Sequence, residues 1–213
     1  MDINQTVNRG RKFAQVLDGA RRVFMRDGFE GASVDMIARE AGVSKATLYS
    51  YFPDKRLMFK EVFRDELMRE RADATALVPV EMPMVQAMPL IARLLVSHLL
   101  SDFGLRTYRL CMAEAERFPS LSREFYERGI ADLTRAIAGY LEIYLERGEL
   151  RADVKDVSLA AYTFVHLVAT RIQDHALFLG RDSVDDEMTQ QSCDNAVMVF
   201  LRAYGAPGHN EPQ

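Results

Sequence analysis

Apolar residues at Phe13, Val16, Leu17, Ala20, Val23 and Phe24 recur at the i, i+3, i+4, i+7 spacing of one helix face. Gly28 suits a left-handed stop after them. Ser33 is a good N-cap, and Val34, Ile37, Ala38 and Ala41 then line one side of a second helix that ends at Gly42. Ser44 opens a third helix carrying Leu48 and Phe52, closed by Pro53, whose ring opposes a continuing helix. Asp54 caps a fourth through Leu57, Met58, Val62, Phe63 and Leu67. Further helical patterns run over 84–101, 105–117, 121–148, 155–179 and 185–204, and no β-like alternation interrupts them. Gly104, Phe118-Pro119, Gly148 and 180–183 separate these stretches, and the prolines between 77 and 89 mark a loop. The 155–179 pattern is apolar on more than one side, so more than one neighbour must cover it.

The first sixty residues form a recognisable unit. Two short helices joined by the small residues Ala41, Gly42 and Val43, braced by a first helix, make a helix-turn-helix. Such a unit lays its second short helix in a DNA major groove. If Leu48 and Phe52 point inward, Lys45, Ala46, Thr47, Tyr49, Ser50 and Tyr51 remain for the outer face. Lys45 can reach a phosphate or a guanine, and Ala46 and Thr47 permit close approach to thymine methyls. Tyrosine hydroxyls suit phosphate contacts that set register without reading sequence. Lys55 is placed to clamp a flanking phosphate, and Arg9, Arg11 and Lys12 to do so from an N-terminal arm.

Composition supports this without proving it. The chain has 213 residues, 12 glycines and 7 prolines, a sparse supply consistent with an all-helical protein. The net charge of −4 hides a basic head. Residues 1–56 hold ten Lys/Arg against seven acids, whereas the remainder holds 17 against 24. A basic module on an acidic body fits a polyanion-binding head on a soluble carrier. Residues 1–10 have no apolar signal core, and the longest uncharged stretch of the second half, 157–170, is too short to span a bilayer. Cys111 and Cys193 therefore read as reduced thiols of a cytoplasmic protein. His98, His166, His175 and His209 stand alone, so no metal site and no cofactor is expected. No nucleophile elbow or phosphate loop stands out, so no enzyme is expected.

The stretch GFEGASVDMIAREAGVSKATLYSYFPDKRLMF resembles the DNA-binding domain of the TetR/AcrR family of transcriptional regulators. The segment RLCMAEAERFPSLSREFY (109–126) resembles the C-terminal domain of one TetR-type subgroup. The resemblance implies an all-α protein: a three-helix helix-turn-helix domain plus a larger helical ligand-binding and dimerisation domain, with about nine helices. The expected boundaries are 1–55 for the DNA-binding head, with 1–8 mobile, 56–204 for the effector-binding and dimerisation domain, and 205–213 for a mobile tail.

The resemblance also implies DNA contacts from Ser33, Ser44, Lys45, Ala46, Thr47, Tyr49, Ser50, Tyr51 and Lys55. Asp35 stands where some relatives carry a base-contacting cation, and no base contact is expected from it. A pocket is expected among Met84, Met88, His98, Arg109, Met112, His166 and Gln173, with Arg106 and Glu114 as further polar candidates. A two-fold interface is expected through Val165, Val168, Ile172, Met188, Val197, Phe200 and Leu201. The expected partners are double-stranded DNA carrying a palindromic operator, a second copy of the chain, and a small-molecule effector of apolar character, with no membrane. The expected function is a homodimeric, ligand-responsive regulator, a repressor, released from its operator by that effector. The alternative is a helical ligand-binding or adaptor protein of the same fold that does not bind DNA.

Overall fold

The structure, a computed structural model, describes residues 10–75, 78–113, 115–116 and 119–208, apart from the side chains of 67 and 69–75. The expected mobile segment 1–8, with Arg9, and the tail from His209 on lie outside the described residues. The regular structure of the described residues is helical, apart from a single bridge between Leu150 and Gly205. It divides into two compact units, Met1–Met68 and Arg69–Gln213.

In the first unit, α1 (Arg11–Gly31) buries Phe13, Val16, Gly19, Ala20, Val23 and Phe24, the face expected from their spacing. Gly28 breaks it at φ 72, and the chain turns at Ala32 into α2 (Val34–Glu40). Ser33 caps α2, its hydroxyl accepting the Met36 amide at 3.2 Å. At the far end Gly42 adopts φ 65 while the Val43 amide donates to the Ala38 carbonyl at 3.0 Å. Such a left-handed residue satisfies the last helical carbonyls and reverses the chain. Ser44 then caps α3 (Lys45–Tyr51), its hydroxyl accepting the Thr47 amide at 3.1 Å.

The head closes where α1 meets this turn. A Cβ on Gly19 would lie 2.7 Å from the Ala41 backbone, so only hydrogen fits between the two. Leu48 and Phe52 are buried, and Phe52 packs on Phe13 with ring centroids 5.3 Å apart. The fourth helix, α4 (Lys55–Thr75), completes the head's core with Met58, Phe59, Val62 and Phe63, which are all buried. Phe59 meets Phe24 edge-on at 5.2 Å. The compact unit therefore runs on to Met68, past the expected boundary at 55, because the first half of α4 supplies this core.

The second unit is built from α5 (Met84–Leu99), α6 (Asp102–Ala113), α7 (Pro119–Phe125), α8 (Asp132–Glu146), α9 (Val157–Ala169), α10 (Ile172–Leu179) and α11 (Asp186–Tyr204). A π-helical turn, Tyr126–Ala131, links α7 to α8, so the pattern expected over 121–148 is one path with a widened turn inside it. Its core gathers Met84, Met88, Leu95, Leu141, Tyr144, Phe164 and Phe200 from α5, α8, α9 and α11. Glu149 reaches from the loop after α8 to accept the Met84 amide at 2.6 Å, which caps α5. Gly104 lies inside α6 rather than before it, and a Cβ there would stand 2.6 Å from the His98 carbonyl oxygen.

Two expectations fail here. The apolar stretch 155–179 is two helices, not one. Arg171 adopts φ 71 and ψ −53, and the Ile172 amide donates to the Thr170 carbonyl at 3.0 Å. This is a γ-turn of the strained hand, uncommon for a residue with a side chain. Ser192 of α11 donates its hydroxyl to the Val168 and Thr170 carbonyls at 3.0 and 3.2 Å, which satisfies groups that the break exposes. The tail expected to be mobile from Gly205 is held at its start. Gly205 is buried, and the Ala206 amide donates to the Glu149 carbonyl at 2.9 Å.

Gly19 and Gly139 offer opposed tests of this packing. Gly139 lies inside α8, and a Cβ added there would meet nothing within 4 Å. In urea titration, Gly19→Ala is expected to lower the unfolding free energy by about 1–3 kcal/mol through overpacking. Gly139→Ala is expected to raise it by about 0.5–1 kcal/mol through helix propensity.

Candidate nucleic-acid interface

The buried side of α3 decides what its outer side presents. With Leu48 inward, Lys45, Ala46, Tyr49 and Ser50 are exposed, and Tyr49 retains 50% of its surface. Tyr51 differs: it is half-buried, with its ring edge-on to Phe13 at 5.6 Å. Its aromatic body thus packs on α1. Thr47 is half-buried, and its hydroxyl lies 2.9 Å from the Ser44 hydroxyl within the cap. The Ser50 hydroxyl donates to the Thr47 carbonyl at 2.6 Å. Ser33 and Ser44 are exposed caps that fix where α2 and α3 begin.

Lys55 departs from the expected phosphate clamp. Its ammonium donates to the Phe29 carbonyl at 2.7 Å and the Ala32 carbonyl at 3.0 Å. It also sits 4.3 Å from the centroid of the Phe29 ring. These acceptors belong to the chain leaving α1, so Lys55 ties the start of α4 to the α1–α2 connection. Only one of its three N–H donors remains for anything else.

The charge balance of the head also needs correcting. Arg22 is engaged by Glu40, its Nε 2.8 Å from the carboxylate, and by Asp18. Arg26 pairs with Asp27 at 2.8 Å. Arg56 pairs with Asp54, and its hydrogen bond holds that carboxyl below its usual range. Much of the basic count in residues 1–56 thus serves intramolecular pairs. Arg11 and Lys12 are exposed in the first turn of α1. Lys45 pairs with Asp35 at 2.5 Å, and both side chains are more than half exposed.

In the second unit the expected pocket residues fall in different environments. Met84 and Met88 are fully buried in the core, while Met112 is 64% exposed on α6. His166 is exposed on α9 and stacks on Tyr162 at 4.1 Å. Arg109 donates to the Ala176 and Leu177 carbonyls at 2.6 and 2.9 Å, holding the end of α10 against α6. His98 and Gln173 are half-buried, Arg106 is exposed, and Glu114 lies outside the described residues. Sequence inspection missed two groups: the Thr107 hydroxyl and the Tyr144 hydroxyl are buried without a hydrogen-bond partner among the described residues. Burial pushes Tyr144 up to about 12. Burial likewise pushes the Cys111 thiol up to about 12, so it stays protonated and unreactive at neutral pH.

The expected interface residues are corrected too. Val165, Val168, Ile172, Val197, Phe200 and Leu201 are buried inside their own unit, and Met188 packs against them. The apolar side chains that α9 and α11 turn outward are Leu159 and Tyr162, at 57% and 41% exposed, and Met198 and Val199. Apolar periodicity marked 155–179 as two-sided, but the intramolecular core took the more continuous side.

Residues 16–62 match the family described as bacterial regulatory proteins, tetR family. Residues 86–206 match the AefR-like transcriptional repressor C-terminal domain. The HTH-type transcriptional repressor Rv1474c of Mycobacterium tuberculosis is 29% identical over 151 residues, covering 70% of this chain and 74% of that protein. The structure of the flavonoid-responsive regulator FrrA is similar with a TM-score of 0.70 and 31% identity, over 92% of this chain and 98% of that one. A Mesorhizobium loti structure assigned to the TetR regulators gives a TM-score of 0.83 and 28% identity over 92% of this chain and 98% of that one.

The position of Lys55 generates a direct test. Lys55→Met leaves two carbonyls without their donor and is expected to cost about 1–3 kcal/mol of stability in a chemical melt. Lys45→Met, which removes only an exposed ion pair, is expected to change stability by less than about 1 kcal/mol. Equal, negligible effects would return Lys55 to the role of a free phosphate clamp.

Proposed function

The chain belongs to the TetR family of transcriptional regulators, and on that premise we propose that it reads a palindromic operator through the outer face of α3 as a homodimer, and leaves it when a small molecule binds the C-terminal unit. The observation that carries this is the exposed set Lys45, Ala46, Tyr49 and Ser50 on a helix whose other side is locked by Leu48 and Phe52. Ala46 lets the backbone approach base edges, Lys45 and Ser50 offer hydrogen bonds, and the Tyr49 hydroxyl suits a phosphate. Tyr51 and Lys55 act from behind, holding α3 and α4 at their angle. Ser33, Ser44 and Thr47 set the helix starts, and their hydroxyls lie where a phosphate oxygen can also be met.

One short helix selects too little sequence to find one site in a genome, so two heads are needed. The second copy is proposed to meet the outward stripe of Leu159, Tyr162, Met198 and Val199, which gives α9 and α11 the second cover their composition calls for. Two heads about 34–36 Å apart, or a multiple of that, meet successive major grooves on one side of the duplex.

The effector is proposed to be largely apolar, with oxygens that satisfy Thr107 or Tyr144, whose buried hydroxyls lack partners among the described residues. FrrA answers to flavonoids, so hydroxylated aromatics are the first class to screen. Such a ligand acts only through its different affinity for the DNA-competent and incompetent arrangements of the two heads. Repression is the sign the relatives favour, and a cytoplasmic location follows from a DNA target. Among the described residues no single helix is long and apolar enough to cross a membrane.

Selection from random duplexes at physiological salt is expected to enrich a palindrome. On that duplex, Tyr49→Ala is expected to weaken binding about tenfold or more, the worth of a hydrogen bond to a charged group, with the fold and dimer intact. Wild-type affinity in that variant would remove Tyr49 from the interface. Leu159→Glu with Tyr162→Glu is expected to give a folded monomer by light scattering, with operator affinity lost. A persistent dimer would place the interface elsewhere.

A further inference from the structure

A carboxylate on the DNA-facing side of a DNA-binding head is costly, because every nearby phosphate repels it. Asp35 is such a group. It lies in the first turn of α2 and reaches across to the first residue of α3, where Oδ1 meets Lys45 Nζ at 2.5 Å. Both side chains are more than half exposed, so the pair contributes little to folding. Elsewhere in the head the acids Asp18, Asp27, Glu40 and Asp54 pair with arginines outside α3. Asp35 alone among these ion pairs is joined to the recognition helix.

We infer that Asp35 and Lys45 work as one element that reads a G·C base pair in each half-site, an assignment that rests on α3 being the DNA-contacting helix. The chemistry is complementary. A G·C pair shows the major groove two acceptors on guanine, N7 and O6, beside one donor, the cytosine N4 amino group. The ion pair presents the opposite order: an ammonium with two N–H groups to spare beside a carboxylate. The spacing also agrees. Guanine O6 and cytosine N4 are joined by an N–H···O bond of about 2.9 Å, close to the separation of the ammonium and carboxylate. Lys45 can therefore donate to O6 or N7 while Asp35, still holding Lys45 through Oδ1, accepts the N4 proton on Oδ2. An A·T pair offers its donor between two acceptors, so the same arrangement sets Asp35 against thymine O4 or leaves Lys45 without a partner. Phosphate offers Asp35 nothing, so the carboxylate also penalises non-specific binding.

The test compares random-duplex selections on wild-type protein, Asp35→Asn and Asp35→Ala, each checked for fold by thermal melt. Wild type is expected to show a strong G·C preference at one position of each half-site. Asp35→Ala is expected to keep the palindrome but lose about tenfold discrimination at that position, as expected for one base contact. Asp35→Asn is expected to shift the position towards A·T, since an amide side chain pairs with adenine N6 and N7. Both variants should bind unrelated duplex more tightly, with a salt slope steeper by about 0.9 for each freed Lys45. If both variants enrich the wild-type motif unchanged at every position, or gain affinity uniformly with no position altered, Asp35 does not read a base and the inference is wrong. If wild type enriches no motif at all, the DNA-binding assignment fails first and the inference falls with it.

Discussion

The contact on which the DNA-binding head depends is the approach of Gly19 in α1 to Ala41 at the end of α2. A Cβ on Gly19 would lie 2.7 Å from Ala41, closer than any side chain tolerates, so the approach requires glycine. That closeness sets the angle at which the chain leaves α2. Gly42 at φ 65 completes the reversal, Ser44 starts α3, and Leu48 and Phe52 are buried, Phe52 against Phe13 of α1. The outward direction of Lys45, Ala46, Tyr49 and Ser50 is a consequence of this packing. Lys55 reinforces it from behind by drawing the start of α4 onto the Phe29 and Ala32 carbonyls.

Local signals were legible wherever the physics is local. The caps at Ser33 and Ser44 and the helix end at Gly42 involve atoms within a few residues and were readable from residue type, whereas Gly28 kinks α1, which runs on to Gly31, rather than stopping it in a left-handed cap. Apolar periodicity likewise identified the face that α1 buries. It could not say what covers a two-sided helix, and for that reason it pointed Val168, Ile172 and Phe200 towards an interface when they form the unit's own core. The γ-turn at Arg171 carries no signal of its own: its acceptor at Thr170 and the supporting Ser192 hydroxyl are set by tertiary packing. Lys55 shows the same limit, since a lysine at a helix start reads as a solvated or phosphate-seeking charge until its acceptors, 23 and 26 residues away, are known.

The two units divide the work that the family combines. The head is small and presents a polar face on an aromatic core of Phe13, Phe24, Phe52 and Phe59. The larger unit holds buried hydroxyls at Thr107 and Tyr144 that have no hydrogen-bond partner among the described residues. It also turns an apolar stripe of Leu159, Tyr162, Met198 and Val199 to the outside. Unsatisfied buried groups and uncovered apolar area both cost free energy, and in the proposed reading the effector relieves the first and a second chain the second.

The most direct test of the central claim is hydrogen exchange on the intact protein, free and bound to its selected duplex. The account predicts that DNA slows exchange across residues 33–51, strongest in α3, while the exposed side of α9 and α11 is already protected in the free dimer. Protection concentrated elsewhere, with α3 exchanging as it does in the free protein, would contradict it.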